Sequence, residues 1–509
     1  MKFIYRVALT VMLGGSVAIT SCDGLLDVEP RQSIDADGAL STPQAVSAAI
    51  NSVYARLNTI SNYGRDLLAV SDALADVGRT TNNSGRLIQE NNNQPGAHFS
   101  NAMWQNSYFA INEANLLIDA ISAGVPGASA NQLALWEGEV KFLRALYYFD
   151  MVKTHAYIPT AIYQPGLTDE GGIPMPLEGS ITSDIAFTRN SPRATIAQVY
   201  AQIYLDLEQA IALMAPLPNR GTQYASAGAA QALLSRVALY NGDWQRAVAE
   251  STNALASSVG SVQSGMDYVA GWRQSINPES MFEVRQQIAA EAVGGVNESL
   301  QSTYTSLLNL DNKNQQGGWG DFIPNQRVRD FFGLTIQFLG GVATNNNNYT
   351  VTRNNDVRGY LYETGNTVRN FGRTIESIKF LDRNDFAFGN NIPVIRKSEM
   401  HLNRAEANYQ LGNTGEALTE LNAFKGLRGL TAVELAGPAI LEEILLERFK
   451  EFAFEGHRFF DLKRYGRDIN KTYLPGGGQI VPFDDFRILP SIPQREVDGN
   501  VNLNQNRGY

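Results

Sequence analysis

Two stretches far apart in the chain follow one plan, and they limit the fold more than any other feature. Residues 229–257, AAQALLSRVALYNGDWQRAVAESTNALAS, and 398–425, SEMHLNRAEANYQLGNTGEALTELNAFK, each read as a helix, a glycine-centred turn and a second helix. The turns are Asn241-Gly242-Asp243 and Leu411-Gly412-Asn413, and the second helices run through Arg246-Ala247 and Glu416-Ala417. Alanine at these places lets the two helices of a pair approach closely. Such a pair buries its apolar face only by stacking on neighbours, so further helices are required.

Those helices are legible from their period. Trp136, Val140, Leu143 and Tyr147 make one apolar stripe. Ile196–Met214 carries Ile203, Leu207, Ile211 and Met214 on one face, with Thr195 as its cap. Met103–Ile121 is another, and 439–465 offers a further degenerate pair. Both repeats resemble the tetratricopeptide unit. The expected class is therefore mainly α: a tetratricopeptide-like helix-pair scaffold with long irregular loops and a few short β segments, among them 281–285 and 374–380. Residues 78–100, 160–193, 260–350 and 470–509 are rich in Gly, Asn, Pro and Ser and contain aromatics. They read as ordered surface loops.

The N-terminus sets the compartment. Lys2 and Arg6 precede an apolar run, Val7–Ile19, that is short for a membrane span. The run ends I-T-S-C, which resembles a bacterial lipobox. Residues 1–21 then form a lipoprotein signal peptide, and Cys22, the only cysteine, is the lipidation site. Several acyl chains there suffice for stable anchoring. No disulfide within the chain and no Cys-based zinc site can form. Formal net charge is −10 and becomes −12 once Lys2 and Arg6 leave with the signal. An acidic chain without a basic run argues against a nucleic-acid partner.

Catalytic signatures are missing: there is no GxSxG, HExxH, Walker A or GxGxxG stretch. The four histidines are scattered, so no metal site and no cofactor is expected. In LLERFKEFAFEGHRFFDLKRYGR, residues 445–467, Glu447, Glu451 and Glu455 fall at i, i+4 and i+8 of one helix. Interleaved phenylalanines mark that helix as packed, with its charges paired internally, in preference to a glycosidase pair. Binding is better sought among loop aromatics, because flat sugar faces stack on rings while amides and carboxylates meet the hydroxyls. Trp104, Trp136 and Trp244 read as structural. Trp319, flanked by glycines, leads the candidates, followed by Trp272, Tyr304, Tyr349, His98 and Phe99.

The chain resembles the SusD/RagB outer-membrane lipoproteins of the Bacteroidetes. The carriers are CDGLLDVEP at Cys22–Pro30, WQNSYFAINEANLLI at Trp104–Ile118, NNIPVIRKSEMHLNRAEA at Asn390–Ala407 and ERFKEFAFEGHRFFDLKRYG at Glu447–Gly466. The resemblance implies four repeat-like helix pairs with variable loops on the opposite side. It divides the mature chain into an N-terminal region, 22–225, and a C-terminal region, 226–509, which holds the binding loops. It further implies a non-enzymatic lipoprotein of the outer membrane, facing the cell exterior. Such a protein captures a glycan and hands it to a partner SusC-type TonB-dependent transporter. Capture of a peptide or protein by the same architecture, and a repeat-based assembly adaptor, are the alternatives.

Overall fold

A computed structural model describes residues 39–162, 169–182, 189–367, 372–381, 386–474 and 477–509. Cys22 and the signal lie outside the described residues. The principal helices are α1 (Pro43–Leu57), α2 (Asp66–Leu74), α3 (Asn101–Ala123), α4 (Ala130–His155), α5 (Ile196–Met214), α6 (Ala227–Asn241), α7 (Trp244–Ala256), α8 (Leu300–Tyr304), α9 (Lys397–Gln410), α10 (Thr414–Leu427), α11 (Pro438–Phe452) and α12 (Arg458–Arg464). The protein is mainly α, as expected.

Local chemistry explains where these helices begin and end. Thr195 caps α5 in a reciprocal box with Gln198. Ser100, Ser129, Ser226 and Asp243 each accept a first-turn N–H of the following helix. Gly242 stops α6 in the left-handed region at φ 76°.

Helices α1, α3, α4, α5, α6, α7, α9, α10 and α11 pack in a row, each against the next. The two repeat-like pairs are therefore spatial neighbours, since α7 lies along α9 despite the long insertion between them. The contact is partly polar. Ser235 and Ser251 share a hydroxyl hydrogen bond of 2.7 Å, Asn403 donates to Ser235 at 3.1 Å, and Arg236 of α6 forks onto Glu399 of α9. One apolar core runs from Val46 to Leu503 and includes Trp104, Trp136, Tyr147 and Phe149. Trp244 packs against its edge.

The strands form two-stranded antiparallel ladders only. They are β1 (Gly78–Thr80) with β3 (Phe322–Pro324), β2 (Ser280–Val284) with β8 (Ile392–Arg396), β4 (Thr335–Phe338) with β5 (Tyr349–Thr352), β6 (Tyr362–Thr364) with β7 (Ile375–Ser377), and β9 (Ile469–Asn470) with β10 (Ile480–Val481). The β1–β3 ladder ties the insertion between α7 and α9 to the N-terminal part, while β2–β8, β4–β5 and β6–β7 close within the insertion. No helix among the described residues is long and apolar enough to cross a membrane.

The charged stretch 445–467 departs from expectation in one respect. It is not one helix. α11 stops at Phe452, and the chain turns through Phe454 (φ 68°) and Gly456 (φ 76°) before α12. A Cβ on Gly456 would meet the Leu68 backbone at 2.8 Å, so this crossing requires glycine. Lys379 donates to the carbonyls of Glu451 and Ala453, which the end of the helix leaves open. Glu455 thus lies off the helix, yet it joins the same ion-pair network.

That network is closed. Glu451 accepts from Arg428 at 2.9 Å and Arg396 at 2.9 Å; Arg396 also reaches Glu279 at 2.7 Å and Glu455 at 2.8 Å. Glu447 pairs with Arg358 at 2.6 Å, and Arg464 bridges Glu406 and Asp461. Burial pushes the Glu447 carboxyl up, but Arg358 and Lys450 outweigh it and hold the group down at about 2. Arg428 and Arg396 likewise overcome burial to hold Glu451 well below the carboxylate range. A glycosidase acid needs the opposite shift and an open cleft.

Candidate functional site

Four of the six candidate aromatics lie inside the protein. Trp272 has no exposed surface; it lies edge-on to Phe380 with the Lys379 and Arg396 cations about 5 Å from its ring. Tyr304 is fully buried at the end of α8. Its hydroxyl donates to Asp72 at 2.9 Å, and its ring packs on Phe322, Phe380 and Phe454. Burial also pushes the Asp72 carboxyl up to about 8. His98 and Phe99 are buried against Phe459 and Phe460, and burial keeps the His98 imidazole neutral. Rings of this size gain most by leaving water. The Gly/Asn-rich flanks that made these residues look loop-borne are the turns that deliver them to the core. These four are corrected from ligand contacts to packing residues.

Trp319 and Tyr349 remain partly exposed, and the structure brings their loops together. Trp319 sits where the chain presses on α8. A Cβ on Gly317 would lie 2.1 Å from the Leu307 carbonyl carbon, and one on Gly318 would lie 2.4 Å from the Ser302 Cα. The flanking glycines therefore serve close approach. The Trp319 N–H donates to the Ser302 carbonyl at 3.0 Å, and the indole Nε1–H points to Asn297 Oδ1 at 3.5 Å. The 78–100 loop closes over the same turn. Asn83 donates to the Trp319 carbonyl at 2.7 Å, Thr81 to the Gly320 carbonyl at 2.8 Å, and Ser84 and Arg86 to Asp321. Below, buried Glu376 accepts from Thr305, Thr374 and the Ser306 N–H and hydroxyl. Burial raises its carboxyl, and the Ser306 bonds partly offset that rise.

From Trp319 the loop runs back through a bed of carboxamides. Asn314 donates to Asn345 at 2.7 Å and accepts from the Asn346 N–H at 2.8 Å; the Lys313 N–H donates to Asn347 at 2.8 Å. Asn366 holds the carbonyls of Lys313 and Gln315. Asn312, Asn314, Gln315 and Asn347 are exposed. At the far end stands the β4–β5 hairpin. Residues 334–352 contain no charged side chain. Tyr349 meets Phe338 at 4.8 Å between ring centres, and the Arg373 guanidinium lies 3.5 Å from the Tyr349 ring centre. Phe338 is about half exposed.

β5 faces β6 without a backbone ladder. Lys313 and Arg353 fill the gap: Lys313 reaches the Tyr349 carbonyl and Glu363, while Arg353 reaches the carbonyls of Val351 and Tyr362. Both cations are thus committed to structure. Among the described residues no group of three or more His, Cys, Asp or Glu side chains could hold a metal ion.

The sequence did not single out Phe338, Arg373 or the loop asparagines, which the structure places around Tyr349 and along the loop to Trp319. The Asn345–Asn348 run and the uncharged stretch around it were the available signals.

Chemically, this face offers partly exposed rings at two stations joined by side-chain amides. Comparison with known proteins agrees in architecture. Residues 25–239 match a SusD-like family described as "Starch-binding associating with outer membrane", and residues 387–509 match the SusD family. SusD-like protein P2 of Formosa agariphila is 24% identical over 548 aligned positions that span 99% of both chains. The starch-binding protein SusD of Bacteroides thetaiotaomicron is 29% identical over 126 residues, 23% of this chain and 22% of that one. A SusD superfamily crystal structure from Bacteroides vulgatus superposes with a TM-score of 0.74 at 25% identity, covering 92% of this chain and 99% of its own. A laminarin-binding SusD-like protein shares the fold, with a TM-score of 0.69 at 22% identity over 92% of this chain and 100% of its own. With residues 25–239 and 387–509 matched and the fold shared over 92% of the chain, this is a SusD/RagB family protein.

Proposed function

We propose that this protein captures a glycan on the face that carries Trp319 and Tyr349 and passes it to a SusC-type TonB-dependent transporter. Lipid at Cys22 holds the body at the outer membrane, facing outward, and the protein does no chemistry on its cargo. The observation that carries the reading is the composition of that face: two partly exposed aromatic stations separated by exposed carboxamides, the pairing that sugar faces and hydroxyls require. The family's starch-binding description and the laminarin-binding relative support the same class of ligand. The helix row serves as the rigid mount, and the loops of the 226–509 region supply the contacts. Capture of a peptide is less well supported, because the exposed groups include few charges and β4 is short.

Calorimetry on a soluble form beginning at Asp23, titrated with a panel of oligosaccharides and peptides, tests the reading. Binding of at least one glycan, weakened in Trp319→Ala with the melting temperature unchanged, is expected. Binding of peptides alone would overturn it. The transporter partner is tested separately, by co-purification of a barrel protein with the lipidated chain from membranes.

A further inference from the structure

Resting on the glycan reading of this same face, we propose that the captured glycan is anionic. On this account Arg373 reads a carboxylate or sulfate ester on a sugar whose ring rests against Tyr349. Charged groups are spent carefully in this protein. Lys313 and Arg353, which frame the hairpin, are both bonded to Glu363 and to backbone carbonyls. Arg86 is paired with Asp321. Among the described residues, no carboxylate lies within ion-pair distance of Arg373. One Nη2 hydrogen goes to the Ala343 carbonyl at 2.7 Å, where the Tyr349 hydroxyl also donates at 3.1 Å. Its Nε is buried without an acceptor. The guanidinium is therefore held over the Tyr349 ring by one hydrogen bond and one ring contact, and among the described residues its Nη1 donates no side-chain hydrogen bond.

A guanidinium fixed in this way is preorganised for a planar or tetrahedral anion, which it binds by two parallel N–H donors. Stacking on an aromatic ring keeps it from folding back into solvent. Its neighbours on the hairpin carry no charge, so nothing on β4 or β5 competes for it. The exposed carboxylate of Asp311, on the loop that leads to Trp319, gives the face a polarity. An acidic sugar is favoured at the Tyr349 station and disfavoured toward Asp311.

The test uses the soluble form from Asp23 and three probes of matched length: a neutral β-glucan oligosaccharide, an oligouronate and a sulfated oligosaccharide. At low salt at least one anionic probe should bind about tenfold or more tightly than the neutral one, and its affinity should fall as salt rises. The two anionic arms separate carboxylate from sulfate. Arg373→Gln should abolish the preference, Arg373→Lys should retain part of it, and Asp311→Asn should strengthen anionic binding. Melting temperatures check that each variant folds, and Asp311→Asn carries the test if the Arg373 variants do not. Equal affinity for all three probes, insensitive to salt and to these substitutions, would overturn the inference and leave glycan capture standing. Failure of every oligosaccharide to bind would overturn both.

Discussion

Two regions of this protein are dense in polar side chains, and they use them in opposite ways. Around α11, α12 and β8, Glu279, Glu447, Glu451 and Glu455 lie buried against Arg358, Arg396, Arg428 and Lys379, with hardly a donor or acceptor left over. Across the Trp319–Tyr349 face the polar groups are mostly neutral amides, exposed and only partly satisfied. Ions taken out of water must be matched nearly completely, so the first region is specified residue by residue and locks its neighbours. Exposed amides cost little to leave open and can exchange water for sugar hydroxyls. The most conspicuous motif in the sequence is therefore scaffold, and the surface proposed for recognition is the plainer one.

This contrast can be broken by substitution. The largest effect is expected for Glu451→Ala, which strands Arg396 and Arg428. Loss of about 3–5 kcal/mol of unfolding free energy in urea is expected, with glycan affinity of the folded fraction unchanged. A cost below about 1 kcal/mol would mean that the buried charges are not coupled.

Acid should act on the same region. The Glu447 carboxyl lies at about 2 in the native state against 4.5 in the unfolded chain. Its contribution is therefore complete above pH 4.5 and is lost as pH falls from there through 2, a loss of up to roughly 3 kcal/mol from this group. Asp72, at about 8 against 3.8, has the opposite sign: its contribution is present below 3.8 and declines as pH rises through 8. Denaturation midpoints across pH should show both slopes, and Glu447→Gln should flatten the acid one.

On the recognition face the expected effects are smaller and fall on binding. Trp319→Ala should weaken the bound glycan by about 1–2 kcal/mol, roughly tenfold, in calorimetry. Stability should hold, since the backbone bonds to Ser302 and Asn83 do not need the indole. Asn314→Ala should change stability by about 1 kcal/mol or less and affinity a few-fold. If either substitution costs several kcal/mol of stability while leaving the affinity of the folded fraction intact, the assignment of roles to the two regions is reversed.

The helix row was legible because periodicity and caps are local: Thr195, Gly242 and the alanines of 229–257 and 398–425 declare themselves in sequence. That α7 stacks on α9 was not legible, because the contact spans the whole insertion. The break after Phe452 was hidden by a run of phenylalanines and charges that keeps a helical look. It is decided by Gly456 meeting Leu68 and by Lys379 arriving from β7's neighbourhood. Trp319 and Tyr349 were proposed from their loop context, and the structure leaves both partly exposed. The same context misled for Trp272 and Tyr304, whose burial depends on distant partners, Phe380 and Asp72. Arg373 could not be singled out, since only the fold shows which arginines lack a carboxylate.

On the proposed reading, recognition lies on the amide-rich face and not on the helix row. Hydrogen exchange with and without a bound oligosaccharide tests it most directly. Protection confined to peptides covering 309–319 and 342–349, with α6, α7, α9 and α10 unchanged, is the predicted result. Protection along those helices, with none at Trp319 or Tyr349, would contradict it.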